Sequence, residues 1–243
     1  MLHDRSRSFA VSAWAAWAPG LQTQQEWLQW AVCSVLPVGD GAPAVAAMPP
    51  MQRRRLLRLG KMALENLYAL AGEASDEVPI VFASRNGETH RSLQLLRELY
   101  EQGGVSPQSF SLSVHNAIAG LFTIANSLHG NVVAVSGGRH TAQAGLVEAV
   151  ALLAEGAPAV LLLVCDEPLP DVFQQYADEP QCAYAYGVIL KPGTDFGFDI
   201  STEGHADADL PEALSMFRFM INPALPAWCP TGIAASWGLT RKR

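Results

Sequence analysis

The chain has 243 residues, of which 49% are apolar and 16% are charged, a composition typical of a folded globular domain. Its formal net charge of −7 argues against a general nucleic-acid-binding role, because such proteins carry an excess of basic residues. No apolar run reaches the roughly 18 residues that a membrane-spanning helix needs, so no membrane span is predicted.

The N-terminal third is predicted to hold one strand and two helices. Phe9–Trp17 is the expected first strand, and Thr23 is placed to cap a helix that extends to Val32. A loop rich in Pro, Gly and Ala follows over Leu36–Pro50. The apolar spacing of Gln52–Ala71 then predicts one long amphipathic helix, whose arginines are expected to lie on a solvated face.

The middle of the chain alternates between strand and helix patterns. Val78–Ser84 is a continuous apolar run, as expected of a central parallel strand. The helix after it is predicted to stop at Gly103, and residues 111–128 are predicted to form a further, largely apolar helix. The strand Asn131–Ser136, a turn and the helix Thr141–Glu155 complete this part.

The C-terminal part is predicted to hold three strands and one helix. The strands are Ala157–Glu167, Cys182–Gly193 and Phe196–Thr202, and the helix is Leu210–Pro223. The tail that begins at Trp228 has no clear periodicity and is expected to be irregular, with a basic end.

This alternation predicts a single α/β domain over residues 1–243, with a mostly parallel mixed sheet flanked by helices. Helices 111–128 and 141–155 are apolar on most sides. Because such helices must be covered on every apolar face, a further layer is expected, either from this chain or from a partner subunit.

The cysteines and histidines give no sign of a metal or cofactor site. The cysteines lack the CxxC spacing of zinc or redox motifs, and no two histidines have the i, i+4 spacing of a metal site. Such sparse cysteines fit a reducing compartment and predict a cytoplasmic protein. Residues 1–20 weakly resemble a signal peptide, but Trp14 and Trp17 interrupt the apolar run, so a cleaved signal is not expected. The cysteines are Cys33, Cys165, Cys182 and Cys229.

The stretch VVAVSGGRHTAQAGLVEA (Val132–Ala149) has the pattern of a buried strand, a glycine turn and a helix start. Enzymes often mount a nucleophile on such a turn, where the helix start favours negative charge. The turn lacks a P-loop, a GxGxxG and a Gly-x-Ser-x-Gly pattern. Ser136 and His140 leave a hydrolase open, while capping or packing is the other interpretation of His140.

Two further groups of polar residues have structural interpretations. His115 lies on an apolar helix, where a lone buried histidine is usually a hydrogen-bonded core residue. Asp166 and Glu167 end a strand, but adjacent strand residues point to opposite faces and make a poor acid–base pair.

Three segments together resemble a known family. They are VPIVFASRNGETHRSLQLL (78–96), SPQSFSLSVHNAIAGL (106–121) and the strand–turn–helix stretch after them. The phasing of these segments resembles the N-terminal half of the β-ketoacyl-acyl-carrier-protein synthases, which have the thiolase fold. It is closer to the short β-ketoacyl-synthase-like N-terminal-domain proteins, the chain-length-factor-like subunits of aryl-polyene-type gene clusters. The resemblance is best over residues 50–192.

The resemblance implies a degenerate nucleophile elbow. Synthases of this family carry a cysteine at the position where this sequence has Gly138, Arg139 or His140, and neither Gly nor Arg can form an acyl-enzyme. The nearest cysteine, Cys165, is expected at the far end of the next strand. The second half of a synthase, which supplies the histidines that promote decarboxylation, has no counterpart in this sequence. The resemblance therefore implies a non-catalytic protein that uses no cofactor or metal.

The implied role is that of a chain-length-factor-type subunit in fatty-acid or polyketide biosynthesis. Such a subunit pairs with a catalytic ketosynthase in a heterodimer, or with itself in a homodimer, and limits the length of the acyl chain. An acyl carrier protein is a further candidate partner. The residues expected at the pocket or the interface are Phe110, Val114, His115, Asn116, Ile118, Phe122, Gly137 and Thr141.

Two other functions stay open at this point. One is a stand-alone acyl-thioester hydrolase that uses Ser136 or His140. The other is a homodimer that binds acyl chains or a carrier protein without catalysis.

Overall fold

The computed structural model describes residues 8–199, 207–230 and 238–242. Strands within these residues form one mixed sheet, and helices pack on both of its faces. The strands are β1 (Ser8–Trp17), β2 (Ile80–Ala83), β3 (Val132–Val135), β4 (Val160–Asp166), β5 (Tyr184–Pro192), β6 (Phe196–Asp199), β7 (Ala227–Trp228) and β8 (Gly238–Arg241). The helices are α1 (Gln24–Val32), α2 (Pro50–Arg53), α3 (Arg58–Ala69), α4 (Thr89–Gln102), α5 (Pro107–Ser111), α6 (Ala117–Ala125), α7 (Thr141–Ala154) and α8 (Glu212–Ile221).

The sheet has the strand order β3-β2-β4-β5-β1-β6-β8-β7. β2 runs parallel to both β3 and β4, with Ile80 opposite Val132 on one side and Leu161 on the other. The other pairings of the described strands are antiparallel. The mixed α/β fold is confirmed, but the expected excess of parallel pairs is wrong. β5 returns beside β4 without a crossover helix, and the later strands extend the sheet as antiparallel neighbours.

Helices α3 and α6 cover one face of the sheet, and α1, α7 and α8 cover the other. The face under α7 is buried largely by this chain itself, because α8 packs directly on α7. For α7, the further layer that the sequence requires is therefore supplied by the C-terminal part of this chain, and Leu146, Ala149 and Val150 are buried.

Most segments follow the sequence pattern closely. Thr23 caps α1 in a full capping box, in which its hydroxyl accepts from Glu26 N and the Glu26 carboxylate accepts from Thr23 N. α4 ends at Gly103, whose φ of 70° places it in the left-handed region that glycine adopts without strain. Strands β2 and β4 are buried along their whole length, as continuous apolar runs predict.

The predicted helix Gln52–Ala71 is wrong, because the chain forms α2, a turn and α3 instead. In a continuous helix, the carbonyl of Arg55 would accept a backbone hydrogen bond from the next turn. Here it accepts a hydrogen bond from the Arg91 guanidinium at 3.0 Å. Arg53 donates to the carbonyl oxygens of residues 44 and 45 rather than lying on a solvated helix face.

The predicted helix 111–128 is also divided, into α5 and α6. His115 lies in the break between them, where its Nε2 is 2.8 Å from the carbonyl oxygen of Ser84. α6 ends at Ala125, and Ser127 follows in the left-handed region with a φ of 54°.

The tail expected to be irregular contributes two short strands, β7 and β8. Arg241 attaches β8 to the end of α8. Its guanidinium donates hydrogen bonds to the carbonyls of Phe219, Met220 and Asn222. Residues 200–206 and 231–237 lie outside the described part, and so does the end of the strand predicted over Phe196–Thr202.

Candidate functional site

A turn between β3 and α7 forms the predicted strand–turn–helix elbow, but β3 lies at the edge of the described sheet and is partly exposed, not buried as predicted. After β3, the backbone passes through a single 3-10 turn, Gly138–His140, and enters α7 at Thr141. Thr141 closes the turn, because its hydroxyl accepts from Gly137 N at 3.0 Å and donates to Gly138 O at 2.7 Å. Gly138 has a φ of 60°, so this turn requires the left-handed conformation at its tip.

The side chains at the elbow tip are tied to the start of α8. Nδ1 of His140 lies 2.7 Å from Oε1 of Glu212, and Nε of Arg139 lies 4.0 Å from Oε2 of the same carboxylate. Arg139 also donates to the carbonyl oxygen of Asp178 at 3.5 Å. The elbow tip therefore carries an arginine and a histidine that both face one carboxylate.

A second ion-pair group lies beside the tip. The Arg85 guanidinium contacts Asp178 Oδ1 at 2.7 Å and Glu179 Oε1 at 3.2 Å, and the other Glu179 oxygen accepts from the backbone N–H of Glu212 at 2.9 Å. The hydrogen bond that Arg85 donates to the Asp178 carboxylate is the largest cause of the raised pKa of Arg85. The cavity below these residues holds only about 20 Å³, which leaves no room for an acyl chain.

Asp166 anchors the loop that follows β2. Its carboxylate accepts hydrogen bonds from Ser84 Oγ at 3.0 Å, Arg85 N at 2.9 Å and Asn86 N at 3.0 Å. Burial raises its pKa to about 6, although these three hydrogen bonds act in the opposite direction. Glu167 points the other way and binds Arg58 at 2.9 Å, so the two adjacent acids do not form a pair, as predicted.

The geometry gives no support to a hydrolase built on Ser136 and His140. The Ser136 hydroxyl donates to the carbonyl oxygen of Arg85 at 3.1 Å, while His140 faces Glu212. A nucleophilic serine needs its base within hydrogen-bond reach, and here both groups are engaged elsewhere. Cys165 and Cys182 do not provide a nucleophile in place of Ser136. Burial raises the pKa of Cys165 well above its usual value and that of Cys182 to about 12, so neither thiol ionises readily.

The predicted pocket and interface residues divide into four groups. Ile118 and Phe122 are buried in the core cluster on the α3 side of the sheet. His115 is half-buried. It has the predicted hydrogen bond, which it makes with a backbone carbonyl oxygen. Gly137 and Thr141 belong to the elbow. The exposed residues of the set are Phe110, Val114 and Asn116.

The residues that contact the elbow tip and its neighbouring ion pairs were not predicted from the sequence. Glu212 is 72 residues away from His140 along the chain, and Arg85 and Glu179 belong to two other segments. No local pattern connects residues at such separations. The one available signal is the Pro-Glu start of the predicted C-terminal helix, which only indicates a favourable helix N-terminus.

A groove of about 530 Å³ lies away from the elbow, between the loop at residues 37–40, the start of α4 and residues 168–174. Arg58, His90 and Arg97 are among its polar residues. In the part of the chain that the structure describes, no cluster of His, Cys, Asp and Glu side chains is arranged to hold a metal ion. Within the same residues, no helix is both long enough and apolar enough to cross a membrane.

Comparison with solved structures finds the same fold in ketosynthases. One chain of the structure of the ketosynthase ApeO in complex with its chain length factor ApeC from Xenorhabdus doucetiae is 27% identical to this chain. The match covers 96% of this chain and 99% of that chain, with a TM-score of 0.83. The ishigamide ketosynthase/chain length factor matches at 16% identity over 80% of this chain and 68% of that one, with a TM-score of 0.56.

A type II polyketide synthase acyl carrier protein in complex with its ketosynthase, AntDE:AntF, contains a chain of the same fold. It is 11% identical over 81% of this chain and 70% of that one, with a TM-score of 0.61. No curated protein matches this chain in sequence. The family model for the β-ketoacyl synthase N-terminal domain matches residues 27–229, which include the elbow and both ion-pair groups around it. The chain therefore belongs to the β-ketoacyl synthase N-terminal domain family.

Proposed function

We propose that this chain is a non-catalytic, chain-length-factor-type subunit that pairs with a catalytic β-ketoacyl synthase. The observation that carries the proposal is the elbow, which keeps the strand–turn–helix form while its tip holds Gly138, Arg139 and His140. The side chains of the last two residues both face the carboxylate of Glu212, so the elbow tip offers no thiolate that could form an acyl-enzyme.

The comparison with ApeO and ApeC supports the pairing. That ketosynthase is found in complex with its chain length factor, and one chain of the complex matches nearly the whole length of this one. In the proposed pair, this chain supplies an α/β unit of the ketosynthase fold, and the reactive residues would come from the ketosynthase.

The sheet edge formed by β3 is the proposed centre of the interface. Ile80 N donates to Asn131 O and Ser84 N donates to Val135 O, so the backbone groups of Val132 and Ala134 point away from the sheet. No strand among the described residues pairs with this edge of β3, and a free edge is a template for another strand.

Exposed apolar side chains also lie on the helices that cover the two faces of the sheet. Ile124 at the end of α6 is 79% exposed, and Val147 on α7 is 44% exposed. We call the β3 edge together with these two side chains the β3-edge surface. Exposed apolar groups beside an open edge favour a protein interface over a solvated one.

Phe110 and Val114 extend this proposal towards the acyl pocket. Both are large apolar side chains that remain more than 40% exposed in the chain alone, at 59% and 46%. They lie on α5 and in the turn after it, next to the buried part of α6. In the complex, they would close the distal end of the ketosynthase's acyl pocket and limit the chain by steric contact.

The resemblance of the segments at 78–96 and 106–121 to aryl-polyene-type subunits supports an acyl-assembly pathway of that kind. The AntDE:AntF structure, in which a carrier protein is in complex with a ketosynthase, makes an acyl carrier protein the natural further partner. We place the complex in the cytoplasm on the basis of its cysteine content.

The test is co-expression with candidate ketosynthases of the same organism, followed by co-purification and native mass spectrometry. Ile124→Glu and Val38→Glu form a matched pair, because these side chains are 79% and 80% exposed but only Ile124 belongs to the β3-edge surface. Ile124→Glu is expected to weaken pairing by about tenfold or more, or about 1.4 kcal/mol, while Val38→Glu leaves it unchanged.

An unaltered chain that stays monomeric and binds none of these ketosynthases would contradict the proposal. A homodimer that is equally sensitive to Ile124→Glu would instead support the non-catalytic homodimeric binder. Acyl-thioester hydrolysis that is lost in Ser136→Ala would favour the hydrolase.

A further inference from the structure

The residues around the elbow tip form a connected set, which we call the elbow clasp. It comprises Arg139 and His140 on the tip, Asp178 and Glu179 on the loop before β5, and Glu212 at the start of α8. The clasp therefore joins three segments that are far apart in sequence. Glu212 is its centre, because its carboxylate faces both tip side chains and its backbone N–H is held by Glu179.

Glu212 is only 4% exposed, although it is a carboxylate. Burial raises its pKa, and the hydrogen bond from His140 acts in the opposite direction. Its Oε2 and the Nε of Arg139 are both buried and have no hydrogen-bond partner among the described residues, and they lie 4.0 Å apart. One oxygen of the carboxylate therefore lies within hydrogen-bond distance of His140, while the other faces Arg139 at a longer distance.

A buried carboxylate is a poor choice for stability alone. An apolar side chain of similar volume usually gives equal or greater stability, whereas removal of one partner from a buried pair is strongly unfavourable. A carboxylate can instead fix the positions of its partner side chains, because its two oxygens define where a cationic or hydrogen-bonding group must lie. The two partners here are the side chains at the elbow tip.

The tip itself lies at the surface. Ser136, Gly137 and Gly138 are exposed, and about a third of the Arg139 side chain is exposed. The tip directly follows β3, so it is continuous with the β3-edge surface. Any partner that pairs with the β3 edge would therefore meet the side chains that Glu212 holds.

We propose that Glu212 is a positioning residue, which fixes Arg139 and His140 on the elbow tip and so determines the acyl-chain length that the paired ketosynthase produces. This inference rests on the proposed function, in which the elbow and the β3-edge surface face the ketosynthase. Without Glu212, the two tip side chains lose the carboxylate that both of them face, and the tip presents a less defined surface to the growing chain.

The first test uses the chain alone and measures hydrogen exchange of the backbone amides at residues 138–141. Glu212→Gln keeps the volume of the side chain but removes its charge, and His140→Asn removes the other side of the contact. Both are expected to raise exchange at these amides by about tenfold, as the loss of one charge-assisted hydrogen bond implies. Glu155→Gln is the matched control, because Glu155 is exposed beyond the other end of α7.

The second test measures product length by mass spectrometry for the same variants in complex with the ketosynthase. Glu212→Gln is expected to pair normally and to shift or broaden the products by at least one extension unit. His140→Asn is expected to give the same change, and the double variant no more, because the two residues act as one unit. Glu155→Gln is expected to match the unaltered complex.

Each failure has its own signature. Absence of pairing in the unaltered chain would refute the proposed function. Normal pairing with unchanged exchange in both Glu212→Gln and His140→Asn would refute the positioning role. A tip that loosens while product length stays the same would refute the link to chain length. His140→Asn keeps the test decisive if Glu212→Gln fails to fold.

Discussion

Asp166 joins the end of β4 to the loop after β2 through three hydrogen bonds. The same loop carries Arg85, which reaches the ion pairs beside the elbow tip. One buried carboxylate therefore fixes the position of a side chain that contacts Asp178 and Glu179 on a third segment. The contacts at the ends of β2 and β4 are therefore coupled, and the effects of substitutions in this group on stability are expected to be non-additive.

The pKa of Asp166 leads to a pH dependence of stability. It is about 6 in the folded chain against an ordinary value of 3.8, so the folded state binds this proton more tightly than the unfolded state does. The stabilising contribution is complete below about pH 3.8 and is lost as the pH rises through about 6, a change of roughly 3 kcal/mol at most.

Urea denaturation at several pH values between about 4 and 7 measures this change. Asp166→Asn is expected to flatten the fall in the free energy of unfolding, while Asp171→Asn, at an exposed carboxyl, leaves it unaltered. Parallel profiles for the unaltered chain and Asp166→Asn would show that this carboxyl does not titrate as described.

Gly138 provides a second residue-scale prediction. An added Cβ would meet no atom within 4 Å at Gly138 or at Gly104, but only Gly138 is left-handed. Gly138→Ala is therefore expected to lower the free energy of unfolding by about 1 kcal/mol through backbone strain alone. Gly104→Ala is expected to change it by less than about 0.5 kcal/mol. Equal effects in chemical denaturation would show that backbone conformation does not decide the choice of glycine at the tip.

At the scale of elements, α7 is the helix that the sheet and α8 hold most closely. Gly145 allows this approach, because an added Cβ would lie 2.8 Å from the Cβ of Ala83 and 3.0 Å from Leu162 Cδ1. Gly120 on α6 is the contrasting case, since an added Cβ there would meet nothing within 4 Å. The two helix glycines thus serve different purposes.

These two glycines make a matched pair of substitutions. Gly145→Ala is expected to destabilise the chain by about 1–3 kcal/mol, because strands β2 and β4 would have to move. Gly120→Ala is expected to stabilise it by about 0.5–1 kcal/mol, through the higher helix propensity of alanine. Thermal and urea unfolding of the two variants provide the measurement, and a destabilised Gly120→Ala would contradict the open space around α6.

How far the elements follow from the sequence depends on what holds them. β2, β4 and α7 were predictable because a buried parallel strand and a helix packed on it leave continuous apolar patterns. The breaks at Arg54–Leu57 and Leu112–Asn116 were not, because hydrogen bonds from Arg91 and His115 to distant segments define them. For the same reason, the elbow was predictable and the clasp residue Glu212 was not.

At the scale of the whole molecule, the C-terminal part completes the fold rather than extending it. Phe217 of α8 is fully buried and stacks on Tyr186 of β5 with ring centroids 4.4 Å apart. It also makes edge contacts with Trp14 on β1 and Trp27 on α1. Four elements thus meet at one aromatic ring, which ties α8 to the sheet.

Phe217→Ala is accordingly expected to lower the free energy of unfolding by about 3–5 kcal/mol, through loss of burial and creation of a cavity. Val172→Ala, at an exposed site, is expected to have little effect. Chemical denaturation with a single cooperative transition is the measurement. A change of less than about 1 kcal/mol in Phe217→Ala would mean that α8 is an appendage to the core.

The open edge of β3 has a consequence for the protein's fate in the cell. Two outward-facing pairs of backbone groups, on Val132 and Ala134, form a short template on which a second chain can add a strand. On the proposed function, a chain made in excess of its ketosynthase would keep this template, which no described strand covers, exposed and would be prone to edge-to-edge aggregation and to degradation. Balanced synthesis of the two subunits would then govern how much of this protein accumulates, independently of its own folding stability.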